Sequence, residues 1–102
     1  MSPEVIEHQA ALEELCRRYR VRRLELFGSA AADRDRPGES DLDFLVDFEA
    51  LPAGAYADSY FGLREALAQL FGRPVDLVVV CAIKNPFFRQ AVEQSKTLLY
   101  AT

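Results

Sequence analysis

The sequence predicts an α+β or α/β domain, with a sheet of three or more strands covered by helices on at least one face. Three observations carry this. Residues 21–27 and 41–48 alternate apolar and polar side chains with the period of a half-buried strand. Residues 75–80 are apolar apart from Asp76, as in a strand covered on both faces. The segments around these strands repeat apolar residues at helical spacing. The resulting order is αβ(α)βαβα.

The first helix is expected to start at Ser2-Pro3-Glu4: a capping hydroxyl, a proline at the first helical position and an acid near the positive end of the dipole. Val5, Leu12, Leu15 and Tyr19 then recur at spacings of seven, three and four, and the helix ends near Tyr19. In the first strand Leu24 and Leu26 alternate against Arg23 and Glu25. Gly28-Ser29-Ala30 ends it, the alanines beyond suit a short helix, and Arg36-Pro37-Gly38-Glu39 is a turn signal. In the second strand Leu42, Phe44, Val46 and Phe48 share one face, and Leu51-Pro52-Ala53-Gly54 breaks it. Tyr56, Tyr60, Leu63, Leu67 and Leu70 mark a second amphipathic helix, stopped by Gly72 and Pro74. Tyr56, Tyr60, Phe61 and Phe71 read as core residues. Asn85-Pro86 caps a last helix expected to carry Phe88, Ala91, Ser95 and Leu98 or Leu99.

Composition narrows the function classes. Half of the 102 residues are apolar and 27% are charged, which describes one globular domain over residues 1–102. No apolar run approaches the roughly 20 residues of a membrane span, and the N-terminus lacks a signal-peptide stretch. A cytoplasmic protein with no membrane contact is expected. Twelve basic against sixteen acidic residues give a net charge of −4, so direct nucleic-acid binding is not expected. The charges are unevenly placed. Arg17, Arg18, Arg20, Arg22 and Arg23 cluster and read as solvated surface, as does His8. Asp33, Asp35, Glu39, Asp41, Asp43, Asp47 and Glu49 crowd a 17-residue stretch and repel one another unless solvated or sharing a cation. Cys16 and Cys81, with no C-x-x-C pattern, make no zinc site and read as small buried hydrophobes.

Asp41 and Asp43, two apart on a strand, point to one face, while Leu42, Phe44 and Val46 anchor the other. Paired carboxylates are costly without a counter-charge, and hard oxygen donors this few in number suit Mg²⁺ shared with substrate phosphates. Asp76, the lone acid of an apolar strand, is the third candidate ligand, and Asp47, at the far end of the second strand, is a second choice. An Asp-x-Asp is common, and alone these residues read sooner as solvated strand acids and a strand-initial cap than as metal ligands. Gly28-Ser29 adds a strand-end glycine without a Cβ, followed by a hydroxyl and a helix start, where backbone N–H groups can approach a phosphate.

The combination resembles the minimal nucleotidyltransferase (MNT) family of the DNA polymerase beta-like superfamily, found as MntA-type antitoxins beside HEPN toxins. Phe27-Gly28-Ser29 matches the Gly-Ser signature, Ser40-Asp41-Leu42-Asp43-Phe44-Leu45-Val46 the Asp-x-Asp strand, and Val75-Asp76-Leu77-Val78 the third-carboxylate strand. The ending from Lys84-Asn85-Pro86-Phe87-Phe88 to Leu98-Leu99-Tyr100 resembles the family's last helix. The resemblance implies an α+β nucleotidyltransferase fold with a small mixed sheet. Two departures stand out. Ala31-Ala32-Asp33 occupy the place of the usual Arg-Gly pair, and eleven residues rather than ten separate Ser29 from Asp41. The positive charge facing the triphosphate is then either absent or displaced to Arg34 or Arg36.

The resemblance further implies transfer of AMP from ATP to a hydroxyl. Gly28 and Ser29 would hold the β- and γ-phosphates, and Asp41, Asp43 and Asp76 would bind two Mg²⁺ ions. Asp76 would serve the acceptor side. A chain this short has no room for an acceptor-binding domain, so the acceptor is expected on a partner, a tyrosine of a HEPN toxin RNase, in a hetero-oligomer. The alternatives are an antitoxin that neutralises by binding alone, which the missing Arg-Gly motivates, and a small-molecule nucleotidyltransferase subunit.

Overall fold

The structure, a computed structural model, describes residues 3–27, 42–80 and 84–101. The chain forms α1 (Pro3–Glu7), α2 (Gln9–Arg18), β1 (Val21–Phe27), β2 (Leu42–Phe48), α3 (Ala53–Phe71), β3 (Val75–Val79), α4 (Pro86–Ser95) and β4 (Thr97–Ala101). It is an α+β fold. The strands lie in the order β3-β2-β1-β4. β1 runs antiparallel to both β2 and β4, whereas β2 and β3 are parallel. The parallel pair needs a crossover, and α3 supplies it.

Strand alternation sorts the core into two layers. Leu42, Phe44, Val46 and Phe48 of β2 join Leu24, Leu26 and Leu77 beneath the first three helices, which contribute Val5, Leu12, Cys16, Leu63, Leu67 and Phe71. On the opposite face Phe27 and Leu45 pack against Val92 of α4, with Val78 and Val80 alongside. Helices therefore cover both faces of the sheet.

The C-terminal end corrects the sequence reading. The last helix stops at Ser95 and does not extend to Leu98 or Leu99; residues Thr97–Ala101 form the edge strand β4 instead. Asn85 starts α4 as expected, its Oδ1 accepting from the N–H groups of Phe87 at 2.9 Å and Phe88 at 3.3 Å. At Lys96 the backbone is extended (φ −72°, ψ 144°), and the following Thr-Leu-Leu-Tyr run pairs with the otherwise open edge of β1. That run has strand composition, and its helical spacing from Phe88 is coincidental.

The N-terminal helix is also two helices rather than one, separated at His8 (φ −104°, ψ 16°). His8 is half-buried, not surface, its ring meeting Phe71 edge-on at 5.3 Å. Tyr56 and Tyr60 pack partly against the core and Phe71 is buried, but Phe61 is 57% exposed. Phe61 lies about 100° round the helix from Tyr60, off the stripe that faces the core. Tyr60 takes the inner position and its hydroxyl donates to the Leu77 carbonyl at 2.6 Å.

Cys16 is fully buried as expected, while Cys81 lies outside the described residues. Burial pushes the Cys16 thiol up to about 12, with Glu13 adding to the shift and Arg17 opposing it. Above the ordinary thiol value the unfolded chain releases a proton that the folded chain retains, so stability falls as pH rises. The contribution is complete below pH 9.0 and disappears as pH climbs through about 12. In a Cys81→Ser background, the stability gap between the parent and Cys16→Ala should narrow over that window, as read by urea unfolding. A thiol reagent at pH 8 should leave folded Cys16 unlabelled.

Candidate active site

The parallel pairing of β2 with β3 sets Asp43 directly beside Asp76. Both carboxylates belong to the face that carries Leu45 and Val78, opposite Leu42, Phe44 and Leu77. Adjacent strands are about 4.8 Å apart, so the two side chains share one patch. Asp43 is half-buried and Asp76 is exposed. On the other side of β2, Phe27 is in register with Asp43. Asp76, Asp43 and Phe27 therefore form one row across three strands.

Local structure fixes this row. Gly72 ends α3 in the left-handed conformation (φ 66°), which favours glycine. The chain then turns through Pro74, whose carbonyl accepts from the Leu42 N–H at 3.1 Å. That bond starts the β2–β3 ladder one residue before Asp43. The Tyr60 hydroxyl ties the same stretch of β3 to α3.

Gly28, Ser29, Arg34, Arg36 and Asp41 lie outside the described residues, together with the expected short helix and the Arg36–Glu39 turn. Asp43 and Asp76 are thus the two sequence-assigned site residues whose relation is defined. Among the described residues, which do not include Asp41, no three His, Cys, Asp or Glu side chains group as a metal site. The donors that do adjoin are two carboxylates without nitrogen or sulfur, which fits a hard divalent cation such as Mg²⁺.

Asp47 stands apart from this pair. It forms a salt bridge with Arg22, whose Nε donates to its Oδ2 at 3.0 Å. The arginine cluster is largely solvated, as expected: Arg17 pairs with Glu14 at 3.1 Å and Arg20 with Glu49 at 3.6 Å, all four side chains well exposed.

Two features escaped the sequence. Glu25, read as a polar-face residue, is only 4% exposed. Lys96 approaches its Oε2 at 3.4 Å and Arg23 its Oε1 at 3.3 Å. Alternation assigned Glu25 to the face away from Leu24 correctly, but α4 and Lys96 cover that face too. Removing one partner of a buried carboxylate leaves charge uncompensated, while Arg23 still remains. Lys96→Met should therefore cost about 2 kcal/mol in urea unfolding. The Glu25→Gln/Lys96→Met double variant should recover part of that loss.

The second feature is aromatic. Phe88, in the first turn of α4, meets Phe27 edge-on with ring centroids 5.9 Å apart and an interplanar angle of 88°. This brings α4 up to the Phe27 end of the carboxylate row. Pairing of distant aromatic residues leaves no mark in local periodicity.

The fold has clear relatives. A provisionally named protein adenylyltransferase of Methanocaldococcus jannaschii is 35% identical over 88 residues, covering 86% of this chain and 83% of its own. A solved structure provisionally described as a minimal nucleotidyltransferase superposes with a TM-score of 0.74 at 33% identity, covering 95% of both chains. A solved complex of a tri-AMPylated Shewanella oneidensis HEPN toxin with an MNT antitoxin matches at a TM-score of 0.64 and 22% identity, covering 95% of this chain and 72% of that one, a likeness of fold. The family model for the nucleotidyltransferase domain matches residues 9–99. With nearly the whole chain matched and its two described acids in register, this protein belongs to the nucleotidyltransferase domain family.

Proposed function

We propose that the chain transfers AMP from ATP to a hydroxyl of a partner protein, a tyrosine of a HEPN-type toxin, and neutralises the toxin by doing so. The observation carrying this is the in-register pair Asp43 and Asp76 on parallel strands of a nucleotidyltransferase fold. The adenylyltransferase name of the archaeal relative and the fold likeness to the toxin–antitoxin complex support the choice of nucleotide and partner. We place the machinery in one domain over residues 1–102, working in the cytoplasm as part of a hetero-oligomer. Among the described residues no helix is long and apolar enough to cross a membrane. Direct binding of nucleic acid is not part of this reading.

Gly28 and Ser29 hold the β- and γ-phosphates through backbone N–H groups, and Arg34 or Arg36 supplies the facing positive charge. Asp41 and Asp43 would hold both Mg²⁺ ions, one serving the triphosphate and one the acceptor, and Asp76 would complete the acceptor side and orient the incoming hydroxyl. Bound Mg²⁺, as two ions, supplies charge neutralisation and a lowered acceptor pKa. The acceptor oxygen forms a bond to the α-phosphorus as the bond to the bridging oxygen breaks, and pyrophosphate leaves. The acceptor's proton passes to solvent.

The test incubates the chain with ATP, Mg²⁺ and its partner, and weighs the partner by intact mass spectrometry. An AMP-sized gain is expected. No gain, with the toxin still silenced in a stable complex, would favour neutralisation by binding alone, the reading that Ala31-Ala32-Asp33 supports. Transfer to a small hydroxyl compound instead of the partner would replace the acceptor.

A further inference from the structure

We propose that Phe88 is the platform on which the base of the nucleotide stacks. This rests on the transferase reading above and adds a residue to it. Phe88 is 40% exposed, and its ring meets Phe27 edge-on. Phe27, 7% exposed, is in register with Asp43, and Asp43 with Asp76. The ring therefore stands one strand beyond the carboxylates that would hold the triphosphate, at the strand end leading into Gly28-Ser29. A nucleobase is joined to its α-phosphate through one ribose, so a base must lie close to that row. A part-exposed aromatic ring beside it, backed by the buried Phe27, offers a face for stacking.

Phenylalanine has no hydrogen-bonding group, so this contact accepts any base and contributes affinity rather than choice of base. Phe87 differs. It is 81% exposed, and its ring has no described aromatic contact.

The experiment measures ATP and inorganic tripolyphosphate binding by calorimetry with Mg²⁺ present. Phe88→Ala should weaken ATP by roughly five- to hundredfold and leave tripolyphosphate within twofold. Phe88→Leu, which keeps an apolar contact to Phe27, should retain the wild-type melting temperature and still weaken ATP. Phe87→Ala should change neither ligand. The chain contains no tryptophan, so Phe88→Trp introduces a single reporter. Its fluorescence should be quenched by ATP and not by tripolyphosphate.

Equal weakening of both ligands would make the ring a packing element and overturn the proposal. Unchanged ATP affinity with a raised KM for the protein acceptor would also overturn it, and would assign the ring to acceptor docking. A wild-type chain that binds neither ligand overturns the transferase reading and this one together. Wild-type binding with an unaffected Phe88→Ala overturns this one alone.

Discussion

Asp43→Asn should lower AMP transfer about a thousandfold, a loss of roughly 4 kcal/mol of transition-state stabilisation, while the chain stays folded. The substitution keeps the shape of the side chain and removes its charge. It takes away one member of the pair set side by side by the β2–β3 register. The β1–β2 and β2–β3 ladders hold this position through backbone pairing that the substitution leaves in place, so the chain should remain folded. Asp47→Asn is the matched control. It lies on the same strand and face, four residues on, and forms a salt bridge with Arg22. Transfer by Asp47→Asn should remain within about twofold, because exposed pairs of this kind contribute little. Rates come from the AMP-sized mass gain of the partner over time, with circular dichroism confirming the fold. Undiminished transfer by Asp43→Asn would remove the pair from the chemistry.

The facing of Asp43 was legible from the alternation within residues 42–48. Alternation alone sends Leu42, Phe44, Val46 and Phe48 into one layer, and so places Asp43 on the opposite face. The nearly unbroken apolar run around Asp76 likewise signalled a strand covered on both sides, and Leu77 and Val78 do join different layers. The pairing of Asp43 with Asp76 was not legible from spacing, since register between distant strands is set in three dimensions. It came from the resemblance. β4 was missed for a related reason. Thr97–Ala101 continues a plausible helical spacing, and only the open edge of β1, absent from local sequence, decides against it. Glu25 shows the same limit from the other side: its alternation was read correctly, but a second covering layer changed what that face meets.

Phe44→Ala should be the most damaging core substitution that this arrangement suggests, at about 3–5 kcal/mol. Phe44 is fully buried, directly after Asp43 on the central strand pair, and it stacks on Phe71 with centroids 5.9 Å apart. Phe71 in turn meets His8, so one ring joins β2, α3 and the break between the first two helices. The loss would consume much of the roughly 5–15 kcal/mol that stabilises a domain, and should lower Tm by about 15–30 °C. Phe44→Leu, which keeps most of the volume, should cost about 1–2 kcal/mol. Urea unfolding with an unchanged m-value would mark the effect as lost packing. The decisive comparison is with Asp43→Asn at a temperature where both are folded. Asp43 is held by backbone pairing to β1 and β3 on both sides, not by the ring beneath it. Phe44→Ala should therefore retain at least about a tenth of wild-type transfer there, where Asp43→Asn retains about a thousandth. Equal loss in the two variants would mean that the packing layer, and not the ladder, positions the carboxylate.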